Sequence, residues 1–273
     1  MASTEIVSDA QAIVMQEIDA NGVLRLTLND EGKRNALSEA MLGELQNILD
    51  QAAGNAAVRV IVIAALGPAF CAGHDLKEMT AARSNADRGR AFFTRLMASC
   101  ASVMQSIVNH PKPVIAEVEG VATAAGCQLV ASCDLAYAAP TAKFATPGVH
   151  IGLFCSTPMV ALSRNVANKH AMEMLLTGDV IDATAAADKG LINQVVEADQ
   201  LREHSTAVAH KIAAKSSMTL ATGKRAFYHQ RDMSLADAYT YSAEVMVENM
   251  LKRDAEEGIG AFIEKRPARW QDK

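Results

Sequence analysis

The chain has 273 residues, of which 50% are hydrophobic and 21% are charged, so it can bury a sizeable core and is not globally disordered. Its formal net charge of −5, without any basic block, argues against nucleic acid as the main partner. The longest apolar run, near Val58 to Ala65, is far too short to cross a bilayer, so we expect no membrane partner.

The N-terminus and the cysteines bear on the cellular compartment. The first residues, MASTEIVSDAQ, contain acids and no Lys or Arg, which matches neither a secretory signal nor a transit peptide. Reduced thiols are favoured over metal ligands or disulfides, because no C-x-x-C pair occurs among Cys71, Cys100, Cys127, Cys133 and Cys155. We therefore predict a cytoplasmic protein without a metal site.

Strands and helices alternate through most of the chain. Alternating or β-branched runs bounded by turn residues predict strands at residues 23–28, 58–64, 114–118 and 135–138. Apolar residues at helical spacing predict helices after Ser38 and over residues 89–109. This rhythm predicts an α/β fold with mainly parallel strand pairing.

Strand signals stop after about Asp199, and the remaining sequence predicts helices only. We therefore divide the chain into a mixed core, residues 1–198, and a helical region, residues 199–273. A segment of that length seldom folds without a partner surface. One predicted helix has an apolar face that packs either within the chain or at an oligomer interface, namely Ala243, Met246, Val247 and Met250.

Two glycine-bearing turns follow two of the predicted strands. They are GPAFCAGHDLKEM, residues 67–79, and EGVATAAGCQLVASCD, residues 119–134. Ligands of parallel α/β sheets gather at the carboxyl ends of strands, where free backbone N–H groups at helix starts can hold an oxyanion. Neither turn contains a phosphate-loop, dinucleotide or G-x-S-x-G motif. On these rules alone, the turns either form a site or merely reverse the chain.

Several segments, read together, resemble the enoyl-CoA hydratase/isomerase (crotonase) superfamily. They are KRNALS (33–38), AFCAGHDLKEM (69–79), HPKPVIAEV through HIGL (110–153), AMEMLLTGDV through INQVV (171–196) and EGIGAFIEKR (257–266). The pair AGHDLKE and ATAAGCQLVASCD resembles one subgroup in particular. The resemblance implies a ClpP-like spiral of ββα units with a C-terminal helical trimerisation region. It also implies a homotrimer or a dimer of trimers, and a substrate that is an acyl-CoA thioester, with no cofactor beyond that coenzyme A.

The resemblance also implies roles for individual residues. Two oxyanion-hole N–H groups fall on His74 and Ala125, which act through the main chain. The His74 imidazole need not be catalytic: it either packs or faces water, or it faces the pocket. The two catalytic glutamates of hydratases fall on Gln128 and Gly148, and neither residue can transfer a proton. Coenzyme A binding falls on Ala36, Leu37, Ala72, His74, Asp75, Leu76 and Lys77, with Phe262 and Lys265 lent by a neighbouring subunit and Arg266 close to phosphates.

Ala125 replaces a glycine that hydratases usually have, so its backbone conformation matters. A positive φ would be strained for alanine, whereas a negative φ at a first helical turn suits it. We predict the negative φ. Substitutes for the missing glutamates remain open among Asp75, Glu78, Glu117, Glu119, His150, Cys155 and Ser156, and we interpret Asp134 as a structural cap.

Three functions are compatible with these residues. The first is a hydratase/isomerase acting on an acyl-CoA. The second is an enzyme of the same fold with other thioester chemistry, such as isomerisation, hydrolysis or decarboxylation. The third is an acyl-CoA-binding or scaffold subunit with little turnover. The missing glutamates weigh against efficient hydration.

Overall fold

The computed structural model describes residues 5–6 and 11–273. In that part of the chain the strands are β1 Glu5–Ile6, β2 Val14–Ile18, β3 Val23–Leu28, β4 Val60–Ala65, β5 Ala69–Cys71, β6 Val114–Val118, β7 Val121–Thr123, β8 Leu135–Ala138, β9 Lys143–Ala145, β10 Ile181–Asp182 and β11 Gln194–Val195. The helices are α1 Glu39–Gly54, α2 Leu76–Ala82, α3 Arg90–Asn109, α4 Ala125–Ser132, α5 Ser156–Leu162, α6 Asn168–Thr177, α7 Ala183–Asp188, α8 Ala198–Ala213, α9 Ser217–Gln230, α10 Leu235–Met250 and α11 Arg253–Ile263.

The larger sheet has the strand order β1-β2-β3-β4-β6-β8-β11. Its pairs are parallel from β3 to β11, and only β1 and β2 are antiparallel additions at one edge. Continuous apolar runs such as VIVIAA in β4 are buried on both faces, as expected of central parallel strands. The prediction of mainly parallel pairing is confirmed.

The smaller sheet has the order β10-β9-β7-β5 and positions the two turns. Its strands β5 and β7 run parallel, with Ala69 opposite Val121 and Cys71 opposite Ala122. The segments that follow these two strands therefore leave the sheet side by side.

The predicted helix after Ser38 is α1, and its start is capped as the sequence indicates. The Ser38 side chain accepts a hydrogen bond from Met41 N at 3.1 Å. The predicted apolar face, Met41, Leu42, Leu45, Ile48 and Leu49, is buried in the main core cluster.

Helix α3 is long and apolar enough to span a membrane by length and composition. The apolar run near Val58 to Ala65 is therefore not the segment that best meets those criteria. The buried side chains of α3, Leu96, Cys100, Val103, Met104 and Ile107, pack in the main core cluster. These residues form one face of an amphipathic helix, and that face packs against the core.

The C-terminal region is helical throughout, as predicted, from α8 to α11. Helix α8 packs against the larger sheet, where Leu201, Ala209 and Ala213 form a second core cluster with strand residues such as Val60 and Ile115. The division at residue 198 stays a prediction, and α8 itself packs against the sheet of the preceding region.

Candidate functional site

A cavity of about 320 Å³ lies where the two turns meet. Its lining includes Ala72 and His74 from the first turn, Ala124 and Ala125 from the second, and Gly148. The rest of the lining is mostly apolar: Leu76, Met79, Met97, Pro147, His150, Ile151, Leu153, Phe154, Cys155, Ser156, Thr157 and Pro158. We call residues 72–75 and 123–126 the cavity turns.

The cavity turns touch each other at Gly73, which has φ +93°. A Cβ on Gly73 would lie 3.1 Å from Thr123 O and 3.5 Å from Ala125 N, so this position has little room for a side chain. Two further hydrogen bonds fix the first turn. Leu37 N donates to Gly73 O at 2.8 Å, and Thr123 Oγ1 donates to Ala72 O at 3.2 Å.

The backbone N–H groups of His74 and Ala125 donate to no protein acceptor in the described part of the chain. Ala125 is the first residue of α4, where an N–H has no partner inside its own helix. Because Gly73 brings its turn against Ala125 N, both unused donors belong to one small region beside the cavity. Such a pair can stabilise negative charge on a ligand oxygen.

The second turn contains a strained residue that the sequence did not reveal. Ala125 lies in α4 and has no positive φ, as predicted. The preceding Ala124 instead has φ 51° and ψ −116°, a conformation that glycine adopts more readily. Ala124 N donates to Ala145 O at 2.9 Å, which helps to hold the turn in place.

Helix α4 begins against strand β5, and a glycine permits this. A Cβ on Gly126 would lie 2.0 Å from Cys71 O, so any side chain there would push the helix away from the strand. The close approach keeps Ala125 N next to the first turn.

The residues at the two glutamate positions differ in placement. Gln128 is 5% exposed and lies outside the cavity lining, with Cys100 Sγ donating to its Oε1 at 3.9 Å. Gly148 lines the cavity. A Cβ on it would lie 2.9 Å from both Cys155 Sγ and Leu153 O, so the surrounding backbone has no space for a side chain there.

The His74 ring lines the cavity and has one free nitrogen. Nδ1 lies 3.2 Å from Leu37 O, and because a carbonyl only accepts, Nδ1 carries the proton and Nε2 keeps a lone pair. Nε2 is buried and has no hydrogen-bond partner among the described residues. Burial lowers the pKa of the imidazole below its ordinary 6.5, which the hydrogen bond to Leu37 partly opposes.

The predicted coenzyme A residues are brought together only in part. Ala72, His74 and Leu76 line the cavity, and Ala36 and Leu37 are buried, with Leu37 bonded to the first turn. Asp75 caps α2 by accepting from Lys77 N at 2.8 Å and Glu78 N at 3.2 Å, so its carboxylate is a structural group. Lys77 is exposed.

Phe262 and Lys265 lie in and just after α11, outside the cavity lining. Phe262 is 85% exposed, so its ring has almost no packing partner within this chain. Arg266 is ion-paired with Glu257 and Glu264 at 2.6 Å each, which offsets its charge. Their assignment to a neighbouring subunit's site stays a prediction.

Glu117, one of the open acid–base candidates, is structural, and so is Asp134, which the sequence analysis interpreted as a cap. Glu117 binds Arg25 through both oxygens, at 2.8 and 3.0 Å, within β6 and away from the cavity. Asp134 accepts from Val114 N at 2.7 Å, Lys224 Nζ at 2.7 Å and Tyr228 Oη at 2.9 Å, in keeping with a structural role.

Glu78 and Glu119 also lie outside the cavity lining. Glu78 accepts from Glu39 N at 3.2 Å, and Glu119 is exposed. Three other candidates line the cavity: His150, Cys155 and Ser156.

In the described residues, no group of three or more His, Cys, Asp or Glu side chains could hold a metal ion, and the five cysteines are free and buried. A larger cavity of about 730 Å³, lined in part by Arg164, Arg225 and Arg231, includes neither cavity turn. The smaller cavity is therefore the candidate site.

Comparisons with known proteins identify the family of the chain. Residues 19–273 match the family model described as Enoyl-CoA hydratase/isomerase. The rat (Rattus norvegicus) protein named enoyl-CoA hydratase domain-containing protein 3, mitochondrial, is 48% identical over 92% of this chain and 82% of its own length.

Two solved structures have the same fold. The crystal structure of human enoyl coenzyme A hydratase domain-containing protein 3 matches with a TM-score of 0.90 at 45% identity, over 95% of this chain and 100% of that one. The crystal structure of the enoyl-CoA hydratase of Mycobacterium smegmatis matches with a TM-score of 0.90 at 47% identity, over 95% and 99%. The predicted crotonase fold is confirmed.

The names of the relatives contradict the prediction of a cytoplasmic protein, which is therefore wrong. The rat, human and mouse proteins, at 46–48% identity, are all named mitochondrial. The prediction relied on reduced thiols and on an acidic N-terminal composition. Reduced thiols occur wherever a compartment keeps them reduced, so they do not distinguish one such compartment from another.

The fold, the paired turns and the family match lead to one classification. The sequence pair AGHDLKE and ATAAGCQLVASCD contains the cavity turns, and five relatives at 43–48% identity are named enoyl-CoA hydratase domain-containing protein 3, mitochondrial. The chain belongs to the enoyl-CoA hydratase/isomerase (crotonase) family and is of the enoyl-CoA hydratase domain-containing protein 3 type.

Proposed function

We propose that the protein binds an acyl-CoA thioester and holds its carbonyl oxygen with the backbone N–H groups of His74 and Ala125. Two convergent donors stabilise the negative charge that builds on this oxygen when the thioester forms an enolate. The observation that carries the proposal is the contact between the cavity turns, which leaves both N–H groups without a protein acceptor in the described chain.

The cavity lining supports an acyl guest. Side chains such as Met79, Met97, Leu153 and Phe154 offer an apolar surface, while polar groups are few. Sites for small ligands combine this apolar lining with a small number of placed polar groups. Exclusion of water by the apolar wall strengthens the two hydrogen bonds to the thioester oxygen.

Efficient hydration is the less favoured activity for this site. Hydration requires a base that activates water and an acid that protonates the α-carbon, each contributing about 10²–10⁴ to the rate. The buried amide of Gln128 and the side-chain-free Gly148 supply neither. We therefore place the protein among crotonase-family enzymes with other acyl-CoA chemistry, with a weakly active acyl-CoA-binding subunit as the alternative.

Two assays on the intact protein test this function. Calorimetric titration with a non-reactive acyl-CoA should give saturable binding, and crotonyl-CoA hydration, followed by ultraviolet absorbance, should be slower than in a glutamate-bearing hydratase by about 10² or more. Absence of binding would contradict the acyl-CoA assignment. Robust hydration would contradict the role given to Gln128 and Gly148.

The surface of the C-terminal helices supports an oligomer. Met246, Val247 and Met250 on α10 are more than half exposed, as are Phe262 and Ile263 on α11. Met246 and Met250 lie one helical turn apart, so they form an exposed apolar strip on α10 of the kind found at interfaces. We propose a homotrimer or a dimer of trimers, and light scattering should give a mass of three or six chains, whereas a monomer would contradict it.

A further inference from the structure

We propose that the His74 imidazole, through Nε2, takes the α-proton of the bound thioester in place of the missing glutamates. This inference rests on the proposed function, since it needs an acyl-CoA in the cavity. One residue then has two roles at the reacting carbons: its backbone N–H binds the thioester oxygen and its ring handles the proton. The substrates are acyl-CoA thioesters that carry a hydrogen on the α-carbon.

The first support is the state of the ring. The bond from Nδ1 to Leu37 O, at 3.2 Å, fixes the tautomer in which Nε2 has a lone pair. Nε2 is buried and meets no donor in the described part of the protein. A buried acceptor without a donor is unfavourable, so such atoms in native proteins call for an explanation, and a catalytic role is one.

The second support comes from the other polar side chains of the cavity, which are less suited to act as the base. His150 Nε2 donates to Thr177 O at 2.8 Å, which directs that ring to the end of α6. Burial raises the pKa of the Cys155 thiol, so it stays neutral. Ser156 Oγ donates to Phe154 O at 3.3 Å. In this tautomer His150 Nδ1 also keeps a lone pair, but His150 is exposed and belongs to neither cavity turn. His74 combines a buried lone pair with one of the two backbone N–H groups, so we assign the base to His74 Nε2.

The charges around His74 leave its ring neutral. Asp75, the next residue, is bound to two backbone N–H groups and lies 3.6 Å from Lys33 Nζ. The second turn, residues 123–126, contributes no titratable side chain, and residues 147–158 contribute only His150 and Cys155. Burial is the main cause of the lowered His74 pKa, opposed only by the Leu37 hydrogen bond. The ring is therefore a competent base at neutral pH.

The proposed step is a proton transfer that needs no co-reactant. The α C–H bond breaks, its proton moves to Nε2, and the electron pair moves onto the thioester oxygen. The N–H groups of His74 and Ala125 hold the enolate oxygen. Nε2 exchanges its proton with solvent and returns one to the carbon, so the α-position exchanges with water.

Deuterium exchange tests the step directly. The full-length protein is incubated with butyryl-CoA in D₂O, and deuterium at the α-carbon is measured by mass spectrometry. The decisive variant is His74→Asn, because its side-chain amide can still donate to Leu37 O while the backbone N–H remains. His74→Gln is the second variant, and His170→Asn, at an exposed position, is the matched control.

We expect exchange in the wild-type protein and in His170→Asn, and a fall of about 10²-fold or more in His74→Asn. Butyryl-CoA binding, measured by calorimetry, should change less than threefold, roughly 0.6 kcal/mol by the usual conversion. The wild-type rate should fall as pH drops through the lowered pKa of His74, because the protonated ring cannot accept a proton.

The outcomes separate this inference from the function on which it rests. If the wild-type protein binds butyryl-CoA and both His74 variants exchange the α-proton as fast as the wild type, the role of the ring is overturned and acyl-CoA binding stands. Binding without any exchange would also overturn it. Loss of exchange would support the inference if either His74 variant still binds butyryl-CoA and thermal unfolding shows that the variant is folded. Absence of binding in the wild-type protein would instead contradict the proposed function.

Discussion

Asp134 and His74 both lie at junctions between strands and helices, but their partners differ. Asp134 accepts three hydrogen bonds, from Val114 N, Lys224 Nζ and Tyr228 Oη, and so ties α9 to the core. At the cavity turns, two N–H groups and one imidazole nitrogen have no partner in the described residues. Buried polar groups that are paired stabilise the fold, whereas unpaired ones beside a cavity are available to a ligand.

The largest expected effect comes from breaking the ion pair between Lys224 and Asp134. Lys224→Met leaves the Asp134 carboxylate without its ammonium partner, and removing one member of a buried ion pair destabilises by about 3–5 kcal/mol. Urea unfolding should show this loss. Lys211→Met, at an exposed position of α8, should change the free energy of unfolding by less than about 0.5 kcal/mol. Equal small effects of both substitutions would show that the Asp134 pair contributes little.

A smaller loss is expected when a side chain is placed at residue 148. Gly148→Glu introduces a Cβ 2.9 Å from Leu153 O, and overpacking of this kind destabilises by about 1–3 kcal/mol. The double variant Gln128→Glu/Gly148→Glu should therefore fail to gain crotonyl-CoA hydration. Gly223→Ala, with open space around it in α9, is the matched control and should be neutral or stabilising. Restored hydration in the double variant would contradict the steric argument.

Removing strain from the second turn should raise stability. Ala124→Gly relieves the φ 51°, ψ −116° conformation, and we expect the free energy of unfolding to rise by about 1 kcal/mol. Chemical denaturation measures the change, with Ala81→Gly in α2 as the comparison, since an unstrained helical alanine should lose stability. If Ala124→Gly lowered the free energy of unfolding as much as Ala81→Gly does, the turn would not be strained.

The smallest effect concerns acid stability. Burial lowers the pKa of His74 in the folded protein. At a pH below the ordinary pKa of 6.5, the His74 ring is therefore protonated more readily in the unfolded chain than in the folded one. Stability should thus fall as pH drops below 6.5. His74→Asn should reduce that fall by at most about 1 kcal/mol at pH 6. Unfolding curves between pH 7 and 6 measure it, and an unchanged pH dependence would contradict the neutral buried ring.

Sequence periodicity was sufficient for α1 and for four strands of the larger sheet, β3, β4, β6 and β8, because long apolar runs and a Ser38 cap are local signals. It did not predict β1, β2 and β11, which complete that sheet. The smaller sheet gave no such signal, since β5, β7 and β9 are three residues long. The negative φ of Ala125 could be predicted, because the first turn of a helix requires it. The strain at the neighbouring Ala124 could not be predicted from the sequence.

Other features of the site depend on contacts that are distant in sequence. The bond between Lys224 and Asp134 joins residues that are 90 positions apart, and the free Nε2 of His74 follows from its bond to Leu37, 37 positions away. The space missing at Gly148 depends on how residues 153–155 fold back toward it. Composition and periodicity do not contain this information.

A crystal structure of the complex with butyryl-CoA tests the central claim most directly. We predict that the thioester oxygen lies about 2.7–3.1 Å from both His74 N and Ala125 N, with the α-carbon beside His74 Nε2. A thioester oxygen bound away from these two nitrogens would contradict it.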